Sequence, residues 1–196
     1  QDAKPATQED EDAPIKRTLH QDRLDTVKQW LLESGARSVL DLGCGEGKLL
    51  RLMQREKQFE RIAGVDVSSR VLERAERKLR LSQLSPEQRE RFSLWQGSLT
   101  YRDRRLEGWD AAAIVEVIEH LELERLPALE RAVFEFARPT TVIVTTPNAD
   151  YNALFESLPA GEFRHKDHRF EWSREEFSAW CQRVEEMHGY SASIHP

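Results

Sequence analysis

Cysteine is scarce in this chain, and that scarcity sets the first bound. Cys44 and Cys181, the two cysteines among 196 residues, cannot build a disulfide framework, and neither has the CxxC neighbour of a zinc or redox motif. Both are expected to be small packing residues, and the compartment a reducing one, the cytoplasm. Long apolar runs are missing as well. Runs such as AAAIV and VIV fall far short of the roughly 20 residues that span a bilayer, and no signal pattern of charge, apolar stretch and small cleavage residues opens the chain. No membrane partner is expected. Nor is there a basic excess: 29 Lys and Arg stand against 35 Asp and Glu, a formal charge of -6. Broad electrostatic capture of nucleic acid is excluded by that balance, because it rests on cations neutralising phosphates. A protein that handles one end of a strand needs few such contacts.

What is present is a hydrophilic globule's composition, 39% hydrophobic and 33% charged. The opening QDAKPATQEDEDAP is acidic and lacks apolar periodicity, so residues 1–14 are expected to be a flexible tail or linker and residues 15–196 one folded domain. Leu24, Val27, Leu31 and Leu32 recur at helical spacing until Gly35 ends the helix. Strand-like and helix-like stretches then alternate. SVLDLG, RIAGVDV, FSLWQG, WDAAAIV and TTVIVTT read as strands; KLLRLMQRE, SRVLERAERKLRL, LPALERAVFEFA and REEFSAWCQRVEEMHG read as helices. Short apolar strands separated by helices predict a mostly parallel sheet covered on both faces, a doubly wound α/β domain with right-handed crossovers. A last strand-like YSASI closes the chain, and the sheet is expected to continue beyond it.

In such sheets ligands bind beyond the carboxyl ends of the strands. The first of these turns is DLGCGEG, Asp41 to Gly47. Gly43, Gly45 and Gly47 remove side chains where backbone must turn tightly and approach a ligand. Such a loop fits several nucleotide binders on one fold. The carboxylates Asp41 and Glu46, however, disfavour a pyrophosphate and suit a ligand bearing an ammonium and a sulfonium. Asp66 ends the second strand, where an acid accepts both ribose hydroxyls of an adenosine, and Ser98 and Leu99 follow the third, beside the expected adenine. This order resembles the class I S-adenosylmethionine-dependent methyltransferases, with a Rossmann-like sheet, which implies S-adenosylmethionine as cofactor.

EVIEH follows the fourth strand. Glu116, Glu119 and His120 stand at i, i+3 and i+4, which predicts three side chains on one helical face. Two carboxylates and an imidazole suit a divalent ion such as Mg, Mn, Fe or Zn; an exposed helix start with acids at its positive end is the plainer alternative. The basic loop FRHKDHRF adds His165 and His168, each a candidate fourth ligand or a surface histidine. Arg164, Lys166 and Arg169 are candidate phosphate contacts, and Phe163, Phe170 and Trp172 are candidates either for the core or for stacking on a base.

EVIEHL, TTPNADYN and DHRFEWSREEF together resemble the RNA 3′-terminal ribose 2′-O-methyltransferases, the small-RNA methyltransferase family whose bacterial members act in RNA repair. The resemblance implies methyl transfer to the 2′-hydroxyl of an RNA 3′ end with a divalent metal, Mg or Mn. Its implied ligands are Glu116, Glu119, His120 and His168, with His165 left to assist catalysis or touch the terminal phosphate. His120 or His165 is the candidate proton acceptor. The bacterial resemblance also implies a kinase and phosphatase repair partner, reached through sequence outside this chain. EVIEHL occurs too in quinone O-methyltransferases, so a catechol or quinol O-methyltransferase is the rival function, and a non-catalytic cofactor-binding scaffold a second.

Overall fold

A computed structural model describes residues 18–155, 158–159 and 161–195. The expected tail 1–14 and the expected start of order at Ile15 lie outside the described residues. Helix α1, Leu19–Glu33, begins at Thr18, whose side chain accepts the Gln21 N–H, and it ends before Gly35 at φ 74°. The strands are β1 Ser38–Leu42, β2 Arg61–Asp66, β3 Phe92–Gln96, β4 Ala111–Val115 and β5 Thr141–Thr145. Between them run α2 Lys48–Met53, α3 Ser69–Leu79, α4 Pro86–Glu90 and α5 Leu126–Glu130, and α6 Arg174–His188 follows β5. Among the described residues the five strands form one parallel sheet in the order β3-β2-β1-β4-β5.

Alternation along the strands divides the core into two layers. Val39, Ile62, Phe92, Ala111, Ala113 and Ile143 face α1, α2 and α3, where Leu24, Val27, Leu31, Leu50 and Leu72 cover them. Leu40, Leu42, Ala63, Val65, Ala112 and Ile114 face the other way, onto Leu129, Val133, Trp180 and Val184 of the α5 and α6 side. Burial on both faces explains why these strands read as continuous apolar runs. No helix among the described residues is long and apolar enough to cross a membrane.

Three local features depart from expectation. The stretch LPALERAVFEFA is not one α-helix: α5 is short and passes into a π-helical turn over Arg131–Ala137. A helix the periodicity did not reveal, α4, is closed by a capping box between Ser85 and Gln88 with Pro86 in its first turn. YSASI is not a strand. Gly189 at φ 72° caps α6 and turns the chain, the Tyr190 hydroxyl donates to the Pro139 carbonyl at 2.7 Å, and the Ala192 N–H is taken by the Glu185 carboxylate. The Glu185 carboxylate thus takes a backbone donor, the Ala192 N–H, that a ladder would need.

Candidate active site

The strand order reverses between β1 and β4, and both sequence motifs of interest leave the sheet at that switch point. Gly43 follows β1 at φ 84°, and a Cβ placed there would lie 2.5 Å from Cγ2 of Val117, in the loop after β4. The two loops thus pack directly against each other, and only a glycine lets them. The Gly43 and Cys44 N–H groups donate to the Val65 carbonyl at 2.8 and 3.0 Å. Gly45 donates to one Asp66 oxygen at 3.0 Å, while the Ser68 N–H takes the other at 2.9 Å. Asp66 therefore shapes the loop and keeps lone pairs on both oxygens for a further donor.

Asp41 is buried, 3% exposed, and its carboxyl is pushed up to about 7, first by burial and then by the nearby Asp66 charge. A buried acid of that kind is stabilised in its charged form by a cation. Glu46 behaves differently from expectation: its side chain pairs with Arg74 at 3.2 Å and with Lys78. Its charge is already matched, so the repulsion of phosphate expected from it does not operate. Leu99 is buried in the core layer beside Val65, and Ser98 lies part-buried with its Oγ 3.0 Å from Thr100 Oγ1. Cys44 is buried and its thiol is pushed far up by desolvation, as befits a packing residue; Cys181 is partly buried and raised to about 11.

EVIEH does not form a helical face. Glu116 adopts φ 54°, uncommon for a residue with a side chain and often found where a site imposes geometry, and only Ile118–His120 make a 3-10 turn. The turn is imposed by β5: the Glu116 N–H donates to the Thr145 carbonyl at 3.0 Å. The Glu116 carboxylate pairs with Arg23 at 3.0 Å and accepts the Thr145 hydroxyl at 3.1 Å.

Glu119, His120 and His168 come together instead, with one potential ligand atom from each lying within 4.8 Å of the others. Each presents a bare acceptor. Glu119 is 0% exposed; its Oε2 accepts the Thr146 hydroxyl at 3.1 Å, and its Oε1 has no hydrogen-bond partner among the described residues. His120 has Nδ1 3.2 Å from the Asp167 carbonyl, which fixes its proton on Nδ1 and leaves the Nε2 lone pair. Burial holds the His120 imidazole below its ordinary value, so it is neutral near pH 7. His168 has Nδ1 2.5 Å from Glu171, which likewise leaves Nε2 bare. Burial, then the Glu116 charge, pushes Glu119 up to about 7. The donor set fits a divalent ion.

The loops holding these residues are stitched together. Arg169 N–H donates to the Glu119 carbonyl at 2.7 Å, and Asn148 and Trp172 form a parallel bridge joining TTPNADYN to DHRFEW. His165 is exposed; its Nδ1 accepts the Asp167 N–H at 3.2 Å, and its ring lies 6.1 Å from that of His120 and 5.6 Å from that of His168. Arg164 donates to Asn152 and to the Asn148 carbonyl and lies over the Phe155 ring, so its guanidinium is largely engaged within the protein. Arg169 pairs with Glu122 at 3.2 Å. Phe170 is buried, Phe163 is 43% exposed, and Trp172 lines a cavity of about 610 Å³ with Trp30, Tyr151, Phe155 and Phe177. Arg23, Thr145 and Thr146 line the same cavity, which therefore abuts the acids.

A family model described as a methyltransferase domain matches residues 14–185. The methyltransferase domain of bacterial CtHen1 is 52% identical in a solved structure, with a TM-score of 0.81, and the match covers 89% of this chain and 88% of that one. The small RNA 2′-O-methyltransferase of Xenopus tropicalis is 36% identical over 186 residues, 92% of this chain and 49% of that protein. This chain belongs to the small-RNA 2′-O-methyltransferase family. Like the rest of the family it carries the class I methyltransferase fold, and the small RNA methyltransferase HEN1 superposes with a TM-score of 0.82 at 31% identity, over 96% of this chain and 24% of that one. The chain spans about half the length of the curated relatives it matches. One residue packed against this cluster went unnoticed in sequence. Glu171, three residues after His168, is buried and accepts hydrogen bonds from His168, Arg164 and Asn152. Its spacing from His168 inside DHRFEW was the available signal.

Proposed function

We propose that this chain transfers the methyl group of S-adenosylmethionine to the 2′-hydroxyl of the 3′-terminal ribose of RNA, in RNA repair or end protection. Glu119, His120 and His168 would hold a divalent ion, Mg or Mn, with Glu116 beside them. The observation that carries the reading is the convergence of Glu119, His120 and His168, one potential ligand atom of each within 4.8 Å of the others, near the switch point where the glycine loop packs, with Glu119 Oε1 left without a hydrogen-bond partner among the described residues. When bound, the ion supplies Lewis-acid chemistry that eases ionisation of a ribose hydroxyl, and the cofactor supplies a methyl group on a cationic sulfur.

The chain's own residues do the rest. Asp41 and the Gly43–Gly45 backbone receive the cationic amino-acid end of the cofactor, Asp66 its ribose, and Ser98 and Leu99 border its adenine. Glu116 is anchored by Arg23 and Thr145 close enough for its charge to act on Glu119, so it is placed to join the ligand set. A single lone pair on His120 serves either as ligand or as proton acceptor, and its place among the bare acceptors favours the ligand role. His165 accepts a backbone N–H at Nδ1, which puts its neutral-form proton on Nε2 and makes that atom a donor for a phosphate oxygen. The cavity lined by Trp30, Tyr151 and Trp172 takes a flat apolar ring such as the last base. Holding acceptor and methyl group in contact is the main catalytic contribution.

Substrate choice follows from the end itself. A vicinal 2′,3′-diol presents two oxygens to the cluster, whereas DNA ends, 3′-phosphorylated ends and internal riboses do not. Labelled cofactor with Mn and four acceptors tests the reading: an RNA oligonucleotide, its 3′-phosphorylated form, one ending in 2′-deoxyribose, and a catechol. Label is expected in the first alone, and transfer to catechol without transfer to RNA would remove the proposal in favour of the small-molecule rival. A kinase and phosphatase repair partner is proposed on the family resemblance, and co-purification of the longer native protein tests it.

A further inference from the structure

Glu171 has no part in the reaction proposed above, yet it is among the few acids the fold buries, 9% exposed, with a side chain only 1% exposed. Such burial is costly unless the charge is matched by donors. Three donors converge on it. The His168 Nδ1 lies 2.5 Å and the Arg164 N–H 2.7 Å from Oε1, and the Asn152 amide lies 2.7 Å from Oε2. The Arg164 backbone N–H and the Asn152 amide N–H can only donate, so Oε1 and Oε2 are both accepting oxygens.

The chemical consequence falls on His168. An oxygen that accepts the Arg164 N–H accepts from His168 too, so in the neutral ring the proton between the two sits on Nδ1 and Nε2 keeps its lone pair, in a cluster where His168, Glu119 and His120 each bring a potential ligand atom within 4.8 Å of the others. The alternative tautomer would set a bare Nδ1 against a carboxylate oxygen at 2.5 Å and turn an N–H toward the cluster. His120 has the same arrangement with a weaker acceptor, the Asp167 carbonyl. Glu171 also holds Asn152 and the backbone of Arg164, and Arg164 lines the neighbouring cavity, so one side chain contacts both His168 and the loop behind it.

We propose that Glu171 is a positioning residue for the metal centre: by accepting the His168 Nδ1–H it selects the tautomer and ring orientation that leave Nε2 available as a ligand. The inference rests on the metal reading above and deepens it. Carboxylate partners of metal-binding histidines typically change metal affinity by roughly ten- to a hundredfold when removed.

The test uses the full chain and three measurements. Long-range ¹⁵N–¹H correlation of the His168 ring in metal-free protein, assigned by comparison with His168→Gln, reads the tautomer directly. Mn(II) binding followed by electron paramagnetic resonance reads the site, and binding of S-adenosylhomocysteine reads the rest of the fold. Wild type is expected to show Nδ1–H on His168. Glu171→Ala is expected to lose that single tautomer and to weaken Mn(II) binding roughly ten- to a hundredfold, with cofactor-product affinity changed less than about threefold. Glu171→Gln keeps an acceptor for Nδ1–H without the charge, so it is expected to retain the tautomer and fall between; it carries the test if the alanine variant does not fold. An Nε2–H tautomer in wild type overturns the proposal, as does unchanged Mn(II) affinity in both variants. So does a parallel loss of cofactor-product binding, which would mark a purely structural role. A wild-type protein that binds no Mn(II) overturns the metal reading, whereas the tautomer judges Glu171 separately.

Discussion

Asp41 makes the fold's stability depend on pH in a way that one substitution should erase. The carboxyl is buried at the end of β1, and its value rises from 3.8 to about 7 because burial, and then Asp66, disfavour the charge. The folded state therefore holds a proton that the unfolded chain has already released. Stability from this group is fully present below the unfolded value and is lost as pH rises through about 7. The full difference corresponds to about 4 kcal/mol, of which about 2.5 kcal/mol falls between about pH 5 and about pH 8. Asp41→Asn has no charge to bury at either pH. Urea unfolding of cofactor-free protein, followed by tryptophan fluorescence at the two pH values, should show the variant losing about 2.5 kcal/mol less than wild type across that interval. Taking the difference across pH cancels whatever the amide costs or gains on its own. Asp66→Asn, which removes the second cause, should flatten the wild-type slope partly. The same linkage makes S-adenosylmethionine bind more tightly as pH rises from about 5 to about 7, since its cationic groups favour the ionised acid. Identical pH slopes for wild type and Asp41→Asn would refute the reasoning.

Gly43→Ala should cost roughly 2 to 4 kcal/mol, from a side chain forced into positive φ and a Cβ 2.5 Å from Val117. Val117→Ala in the same chain should recover part of it, a coupling that a double-mutant cycle in urea measures. Trp180→Phe leaves the buried Glu130 with Arg183 but without the indole N–H at 2.7 Å, and should destabilise by roughly 1 to 3 kcal/mol in the same assay. Mn at about a hundredfold excess over its dissociation constant should stabilise wild type by about 2.7 kcal/mol and leave Glu119→Ala unmoved, as read by thermal unfolding.

Much of the sheet was legible because burial on both faces writes strands as near-continuous apolar runs, as in AAAIV and VIV. α1 was legible from its helical spacing and the Gly35 that ends it, and α6 from its amphipathic stretch. α4 was overlooked although SPEQ states a capping box in four letters, because SPEQRE carries no buried face and periodicity is blind to such a helix. YSASI failed for the opposite reason: alternation suggested a strand, but tertiary contacts from Pro139 and Glu185 took its groups. In the candidate site, spacing rightly brought Glu119 and His120 together but for the wrong cause. The chain achieves it with a left-handed Glu116 and a single 3-10 turn, conformations that β5 dictates and that no local spacing encodes. The complete burial of Glu119 was equally hidden, since its partners Thr146 and Arg169 are distant in sequence.

The contact between Gly43 and Val117 has one more implication. The loop after β1 and the loop after β4, the donor and acceptor halves in the proposed reading, share a wall a single hydrogen atom thick, so neither loop can drift without carrying the other. Grafting a foreign acceptor loop onto this sheet would therefore retune the methyl donor's seat as well, and a transplant that ignored the shape opposite that hydrogen would misalign the two reactants even with every ligand retained.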